Sequence, residues 1–259
     1  MQPTLFLSHG SPMMAVQDIP ARHFLAGLGD SLARPTAIVV VSAHWETEVP
    51  TLGGMAHNAT IHDFYSFPAP LYALSYPAPG NPELAARVAD QLGRVGLRAR
   101  VDPARGLDHG AWIPLLLIWP EHDIPVFQLS VQSRLGPGHH LQLGQALAAL
   151  RAENVLVLAS GSFTHNLRAL QRQAAPDQDE PQWVTAFSDW MHEAIMAGRL
   201  CDLVSYRSLA PFAAENHPTD EHLLPLFVAL GAAGPGAVPT RIHQSTDLAA
   251  LRMDSYRFD

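Results

Sequence analysis

Lysine is absent from the 259 residues, so all 16 basic residues are arginine. That absence removes Schiff-base chemistry, and with it pyridoxal enzymes and Schiff-base aldolases, because no amine nucleophile is available. It also removes a Walker-type phosphate loop, whose lysine has no substitute. Cysteine occurs once, at Cys201. One thiol allows no internal disulfide, no cysteine-based zinc cage and no iron–sulfur cluster. Charged residues make up only 15% of the chain, against roughly 25% in an ordinary globular domain. The net charge is −8 with histidine neutral, and no basic run interrupts it. Nucleic acid is therefore not expected as a partner. No apolar run approaches the ~20 residues of a membrane span. The opening MQPTLFLSHGSP has neither a charged leader region nor a long apolar one, so the expectation is a cytoplasmic protein away from the membrane. A composition rich in Ala, Gly, Pro and Arg explains the missing lysine as an effect of genome composition, and the exclusions hold whatever its origin.

What the chain does have is apolar residues, 47% of the total, and 14 histidines. Its length fits one large α/β domain over residues 1–259. Four runs read as strands: Thr4 to Leu7, Ala37 to Val41, Ile124 to Val131 and Val155 to Ala159. The continuous β-branched AIVVV and the VLVLA run have the pattern of strands buried on both faces. Helices are expected over Glu83 to Leu92 behind an Asn81-Pro82 cap, over His139 to Leu150, from Trp183 onward, and over His222 to Leu230 with Pro225 in the first turn. Pro176 to Pro181 reads as an exposed acidic loop. Strands alternating with helices imply a mainly parallel sheet covered on both faces.

Three of the apolar runs end within a few residues of a histidine: His9, His44 and His165. In an open α/β sheet, ligands bind outside the carboxyl ends of the strands, so parallel neighbours would bring these imidazoles to one edge. His222, at the start of a helix, can point into the same crevice, and His217 is a weaker candidate. The remaining histidines outside the segments named next sit in polar or helical contexts that ask for no function. Two further segments carry chemistry. Residues 61–80, with their aromatics and prolines, form either a rigid structural loop or a binding loop placing His62, Asp63, Phe64 and Tyr65 over a flat aromatic ligand. In Gly106 to Trp112, His109 is placed like an oriented acid/base with Asp108 as its partner, or Asp108 is a helix cap. Imidazoles without thiolates suit zinc or ferrous iron. Two or three of them leave coordination positions open, which is the mark of a catalytic metal site. A histidine that does not bind the metal can move protons.

The segments SHGSPM (Ser8 to Met13), VVSAHW (Val40 to Trp45), IHDF (Ile61 to Phe64), YPAPG (Tyr76 to Gly80), DHGAW (Asp108 to Trp112), SGSFTHNLR (Ser160 to Arg168) and TDEHLLPL (Thr219 to Leu226) occur in this order. Together they resemble the DODA-type extradiol dioxygenases, a branch of the LigB-like class III ring-opening dioxygenases. The resemblance implies a single-domain α/β fold with a mixed sheet, helices on both faces and one metal ion. It implies His9, His44 and His222 as ligands, Fe²⁺ for activity and Zn²⁺ as a metal that can be found bound. His165 becomes the acid/base and a fourth ligand under zinc, with His109 as a second catalytic histidine. Ser11, His62, Asp63 and Trp112 become substrate-binding residues. Other members of the class use a glutamate as third ligand, and here Glu221 stands beside His222 as that alternative. The implied reaction opens a catechol, DOPA-like or otherwise substituted, with O2 to a muconic semialdehyde. Two rivals use the same histidines or fold: a zinc hydrolase, which would turn over without oxygen, and a non-enzymatic Memo-like binding module, which would bind no metal.

Overall fold

The computed structural model describes residues 1–171 and 179–259. Its strands are β1 (Thr4–Ser8), β2 (Ala37–Glu46), β3 (Thr51–Gly53), β4 (Arg100–Asp102), β5 (Val126–Val131), β6 (Val155–Gly161), β7 (Pro239–His243), β8 (Thr246–Asp247), β9 (Leu251–Arg252) and β10 (Ser255–Phe258). The main sheet has eight strands in the order β4-β3-β5-β2-β6-β1-β10-β7. The four long apolar runs supply its centre, where β5, β2, β6 and β1 are mutually parallel. β1, β5 and β6 are buried at every residue, as a parallel strand covered on both faces must be. The flanks are mixed. β3 is antiparallel to β5 and parallel to β4, while β10 is antiparallel to both β1 and β7.

The period of two along each strand divides the core into layers. Ile38, Val40, Leu156 and Leu158 face one way and pack with Leu25, Ile113 and Leu115, contributed by α1 (Pro20–Leu28) and by a helix over His109–Ile118. Val39, Val41, Val155 and Val157 face the other way and meet Val88, Leu143 and Val228. Those residues come from the helices Pro82–Arg94, Gly136–Leu147 and Leu224–Ala233. A third cluster joins Phe6 and Ala159 to Phe187 of the helix Gln182–Met196 and to Tyr256 of β10. The fold is a single-domain α/β unit with helices on both sheet faces. No helix among the described residues is long and apolar enough to cross a membrane.

Several boundaries differ from the sequence expectations for identifiable reasons. β2 continues past Val41 to Glu46, because Ser42 still pairs with Ser160 of β6. His44 therefore sits inside a strand. β5 begins at Val126, after Pro125, whose missing N–H suits a strand entrance. The expected helix at 139 starts at Gly136, with Pro137 in its first turn, and tightens into a 3-10 turn over Ala148–Glu153. The last helix begins at Leu224 with Pro225 in its first turn, which leaves His222 in the preceding turn. The Asn81 cap forms as read, its side chain accepting from the Leu84 N–H at 3.0 Å. Of the acidic segment 176–181, residues 176–178 lie outside the described residues. Glu180 is not an exposed loop charge, because the Arg252 guanidinium donates to it at 2.6 Å.

Candidate metal and substrate site

The carboxyl ends of β1, β2 and β6 meet at one sheet edge. His9 follows β1 directly, with its backbone N–H donating to the Gly161 carbonyl at 2.9 Å. His44 projects from the end of β2. The turn carrying His222 is held against β6 by the Ser162 N–H, which donates to the His222 carbonyl at 2.8 Å. Gly161 permits this approach, since a Cβ there would lie 2.1 Å from that carbonyl. Gly110 does the same from above: a Cβ would meet Ser42 Oγ at 2.5 Å, His44 Cδ2 at 3.0 Å and His9 Cε1 at 3.2 Å.

The three imidazoles point their Nε2 atoms at one another. His9 Nε2 is 2.9 Å from His44 Nε2, and His222 Nε2 is 3.3 Å from His44 Nε2. Metal–nitrogen bonds of about 2.0–2.1 Å require N···N separations of roughly 2.9 Å at right angles and roughly 3.4 Å at the tetrahedral angle. The far nitrogens fix the tautomers. Ser160 Oγ commits its hydrogen to the Gly110 carbonyl, so at 2.9 Å from His9 Nδ1 it acts as acceptor. Glu221 Oε1 accepts from His222 Nδ1 at 2.9 Å, and Asp63 Oδ2 lies 3.6 Å from His44 Nδ1. The Nδ1 atoms of His9 and His222 thus meet acceptors at hydrogen-bond distance and that of His44 faces a carboxylate, an arrangement that favours Nε2 lone pairs converging on one point. A cation satisfies all three, and carboxylates behind ligating histidines are the usual outer support of such a centre. Burial first, then the neighbouring imidazoles, push His9 and His222 well below the usual histidine range. Burial and His109 likewise bring His44 down to about 4, against the opposing pull of Asp108 and Asp63. All three are neutral near pH 7, the form a metal ligand needs.

Residues 3–253 match the family described as the catalytic LigB subunit of aromatic ring-opening dioxygenase. The chain belongs to this family. It is 46% identical to a 4,5-DOPA dioxygenase extradiol of Beta vulgaris, over 98% of this chain and 96% of the relative. It is 40% identical to a 4,5-DOPA dioxygenase extradiol of Escherichia coli (strain K12), over 89% of this chain and 84% of the relative. A crystal structure of an uncharacterized protein from Escherichia coli K12 superimposes with a TM-score of 0.85 at 33% identity, covering 100% of both chains. This LigB-family chain is an extradiol dioxygenase, an oxidoreductase of a metal-dependent family whose site fits a metal by the donor geometry above.

The other expected residues of the LigB chain divide by location. His165 lies beside the centre, its ring stacked on that of His222 with centroids 3.4 Å apart and its Nδ1 3.9 Å from Glu221. Burial lowers it to about 4, with Glu221 opposing. Glu221 faces Nδ1 of His222, on the side away from the converging Nε2 atoms. His109 is buried with its ring centroid 3.9 Å from that of His44. Its partner is Asp63 rather than Asp108, which corrects the reading from sequence spacing. The His109 backbone N–H donates to Asp63 Oδ1 at 2.9 Å, and His109 Nδ1 lies 3.0 Å from the same oxygen, at ion-pair distance but off the hydrogen-bond direction. Burial pushes the Asp63 carboxyl up, but His109 and His44 outweigh it and hold it at about 2. Asp108 takes the capping role, accepting from the Ala111 N–H at 3.3 Å. Fully buried, it also accepts from Ser42 Oγ at 2.6 Å, Gln128 Nε2 at 2.7 Å and Arg105 at 2.6 Å. It therefore anchors the strand end that presents His44.

A cavity of about 590 Å³ opens on the centre, with His44, His109, His165 and His222 at its floor. Ser11 lines it, and so do Phe64 and Tyr65 of the 61–80 loop. His62 and Trp112 do not line it. His62 Nε2 donates to the Leu74 carbonyl at 2.9 Å, and the buried Trp112 donates to the Ile61 carbonyl at 3.0 Å, so both brace the loop from behind. Sequence reasoning gave no role to Ser160, which opens the SGSFTHNLR segment, or to Gln128, which lies inside the run from Ile124 to Val131. It missed Leu248 and Leu251 in the cavity wall, which no pattern marked.

Proposed function

We propose that this chain opens a substituted catechol by extradiol cleavage, with Fe²⁺ held by His9, His44 and His222 and both atoms of O2 entering a muconic semialdehyde. The observation that carries the reading is the convergence of the Nε2 atoms of three neutral imidazoles, two of which, His44 and His222, open on the cavity. A site with three protein ligands leaves coordination room for a substrate. Ferrous iron would supply the redox-active centre through which a bound catecholate and O2 react. Zinc fits the same donors without that redox capacity.

The remaining steps belong to the protein. His165, neutral and facing the cavity beside His222, takes a proton from a catechol hydroxyl and returns one to oxygen as the ring opens. Glu221 holds the two imidazoles of this pair in register. His109, held beside Asp63 with its ring centroid 3.9 Å from that of His44, offers a second proton-carrying edge at the cavity floor. Phe64, packed edge-on against His109 with ring centroids 5.7 Å apart, closes one side of the slot where a flat ring would lie. DOPA, which the relatives' names mention, is a reasonable first catechol to try.

Protein loaded anaerobically with Fe²⁺ is expected to consume oxygen on addition of a catechol and to release a product absorbing in the visible. Protein loaded with Zn²⁺ is expected to consume none. Turnover of any ester or amide without oxygen by the zinc form would instead support a hydrolase.

A further inference from the structure

Five consecutive residues, Phe64 to Pro68, line the cavity, and they form an arch with a fixed base. Phe64 is 5% exposed, its ring centroid 5.2 Å from that of Tyr72, 5.4 Å from Phe67 and 5.7 Å from His109. The Tyr72 hydroxyl spans the base. It donates to the Phe64 carbonyl at 3.4 Å and accepts from the Phe67 N–H at 3.3 Å. His62, bonded to the Leu74 carbonyl, and Trp112, bonded to the Ile61 carbonyl, tie down the approach to the arch.

The crown of the arch is held differently. Tyr65 is 84% exposed although it lines the cavity. No hydrogen bond or ring contact engages its side chain among the described residues. The other four tyrosines all place their hydroxyls in hydrogen bonds. Beside it, Ser66 has φ 63°. Residues with side chains avoid this left-handed region, and such strain gathers at ligand sites when the surrounding structure imposes it. Here the Tyr72 hydroxyl and the packed Phe64 and Phe67 impose it. The result is a fixed backbone that presents an unattached phenol ring at the cavity.

We propose that Tyr65 covers the substrate: once a catechol is held at the histidine floor, the Tyr65 side chain rotates on the fixed arch and lays its ring against the bound one. This rests on the ring-opening reading of the same site. The floor is within reach, because Phe64, one residue away, already packs against His109. Exposed side chains exchange rotamers in picoseconds to nanoseconds, so covering does not limit turnover. The move takes apolar surface of two rings out of water and gains an aromatic pair. The Tyr65 hydroxyl gives up no partner. The ring face is therefore the working part, and it contributes to binding rather than to the chemical step. Tyr65→Ala is expected to raise KM about five- to tenfold with kcat nearly unchanged, and Tyr65→Phe to keep the wild-type KM.

The test follows Tyr65 itself in protein that does not turn over. The tyrosines are replaced by 3-fluorotyrosine, the protein is loaded with Zn²⁺, and 4-nitrocatechol is added. The visible spectrum of 4-nitrocatechol reports coordination of its oxygens. Fluorine NMR reports each tyrosine, with the Tyr65 signal assigned by its loss in Tyr65→Phe. On binding, the Tyr65 signal is expected to shift and to lose its H2O/D2O isotope shift, while those of the buried Tyr76, Tyr206 and Tyr256 stay in place. A changed nitrocatechol spectrum with an unmoved Tyr65 signal would overturn the covering role and leave the ring-opening reading intact. Affinity lost equally in Tyr65→Phe and Tyr65→Ala would overturn the part assigned to the ring face. An unchanged nitrocatechol spectrum would overturn both the covering role and the ring-opening reading.

Discussion

The histidine floor and the leucine wall of one cavity are built in opposite ways. The floor gathers around the carboxyl ends of long parallel strands, and each of the three converging imidazoles has Ser160, Asp63 or Glu221 behind it. In the wall, Leu248 and Leu251 hang on two-residue strands and a connection in the left-handed region. The floor brings Nε2 atoms within 2.9 to 3.3 Å of one another, the kind of fixed geometry that bond-forming chemistry requires. A fold can vary the second without disturbing the first, because the two share no hydrogen bond to a metal-facing imidazole among those described.

Substitutions separate these two regions most sharply at the floor. His44→Ala removes the nitrogen shared by both short Nε2 contacts, so metal content measured by elemental analysis should fall to background and activity with it. His165→Ala should keep its metal and lose about 10²- to 10⁴-fold in kcat, the usual worth of a positioned proton carrier. Near-normal turnover by that variant would remove His165 from the mechanism. Ser160→Ala frees His9 Nδ1 from its acceptor, and metal affinity by competition with a chelator should weaken about 10- to 100-fold. The wall substitution Leu248→Ala should change selectivity while metal content stays at the wild-type level.

The smallest effect lies away from both regions. His140 is buried, accepts from the Gln132 N–H at 3.1 Å through Nε2, and sits with Nδ1 2.7 Å from the Gly136 carbonyl. Burial lowers it to about 4 from an ordinary value of 6.5. A base with a depressed folded value stabilises the fold fully above the unfolded value, and that contribution is lost as pH falls from about 6.5 toward 4. The stability gap between wild type and His140→Gln should therefore narrow by up to about 3 kcal/mol between pH 7 and pH 4. A gap independent of pH would mean that His140 is not held neutral.

The same contrast explains what could be read from the chain. AIVVV and VLVLA announce buried parallel strands because only such strands are apolar without alternation. His9, His44 and His165 stood out because ligand sites gather at the ends of such strands, and His222 because it sits at the entrance of an apolar helix. The partner of His109 was not, because Asp63 is 46 residues away and Asp108 is adjacent. His62 and Trp112 stand in conspicuous motifs yet brace the loop, since a motif marks a segment without saying which side faces the cavity. The C-terminal strands β7 to β10 are two to five residues long, too short for any periodicity to stand out. Leu248 had no signal at all, because glycine or asparagine, rather than leucine, marks the left-handed region in a sequence.

The central claim is that three imidazoles hold a ferrous ion at which a catechol and oxygen react. Its most direct test is the stoichiometry of oxygen uptake by the Fe²⁺-loaded protein with a limiting amount of the catechol it binds most tightly. One O2 consumed per catechol, with one equivalent of a ring-opened semialdehyde formed, is the predicted result. No uptake, or uptake that yields a quinone with the ring intact, would contradict the account.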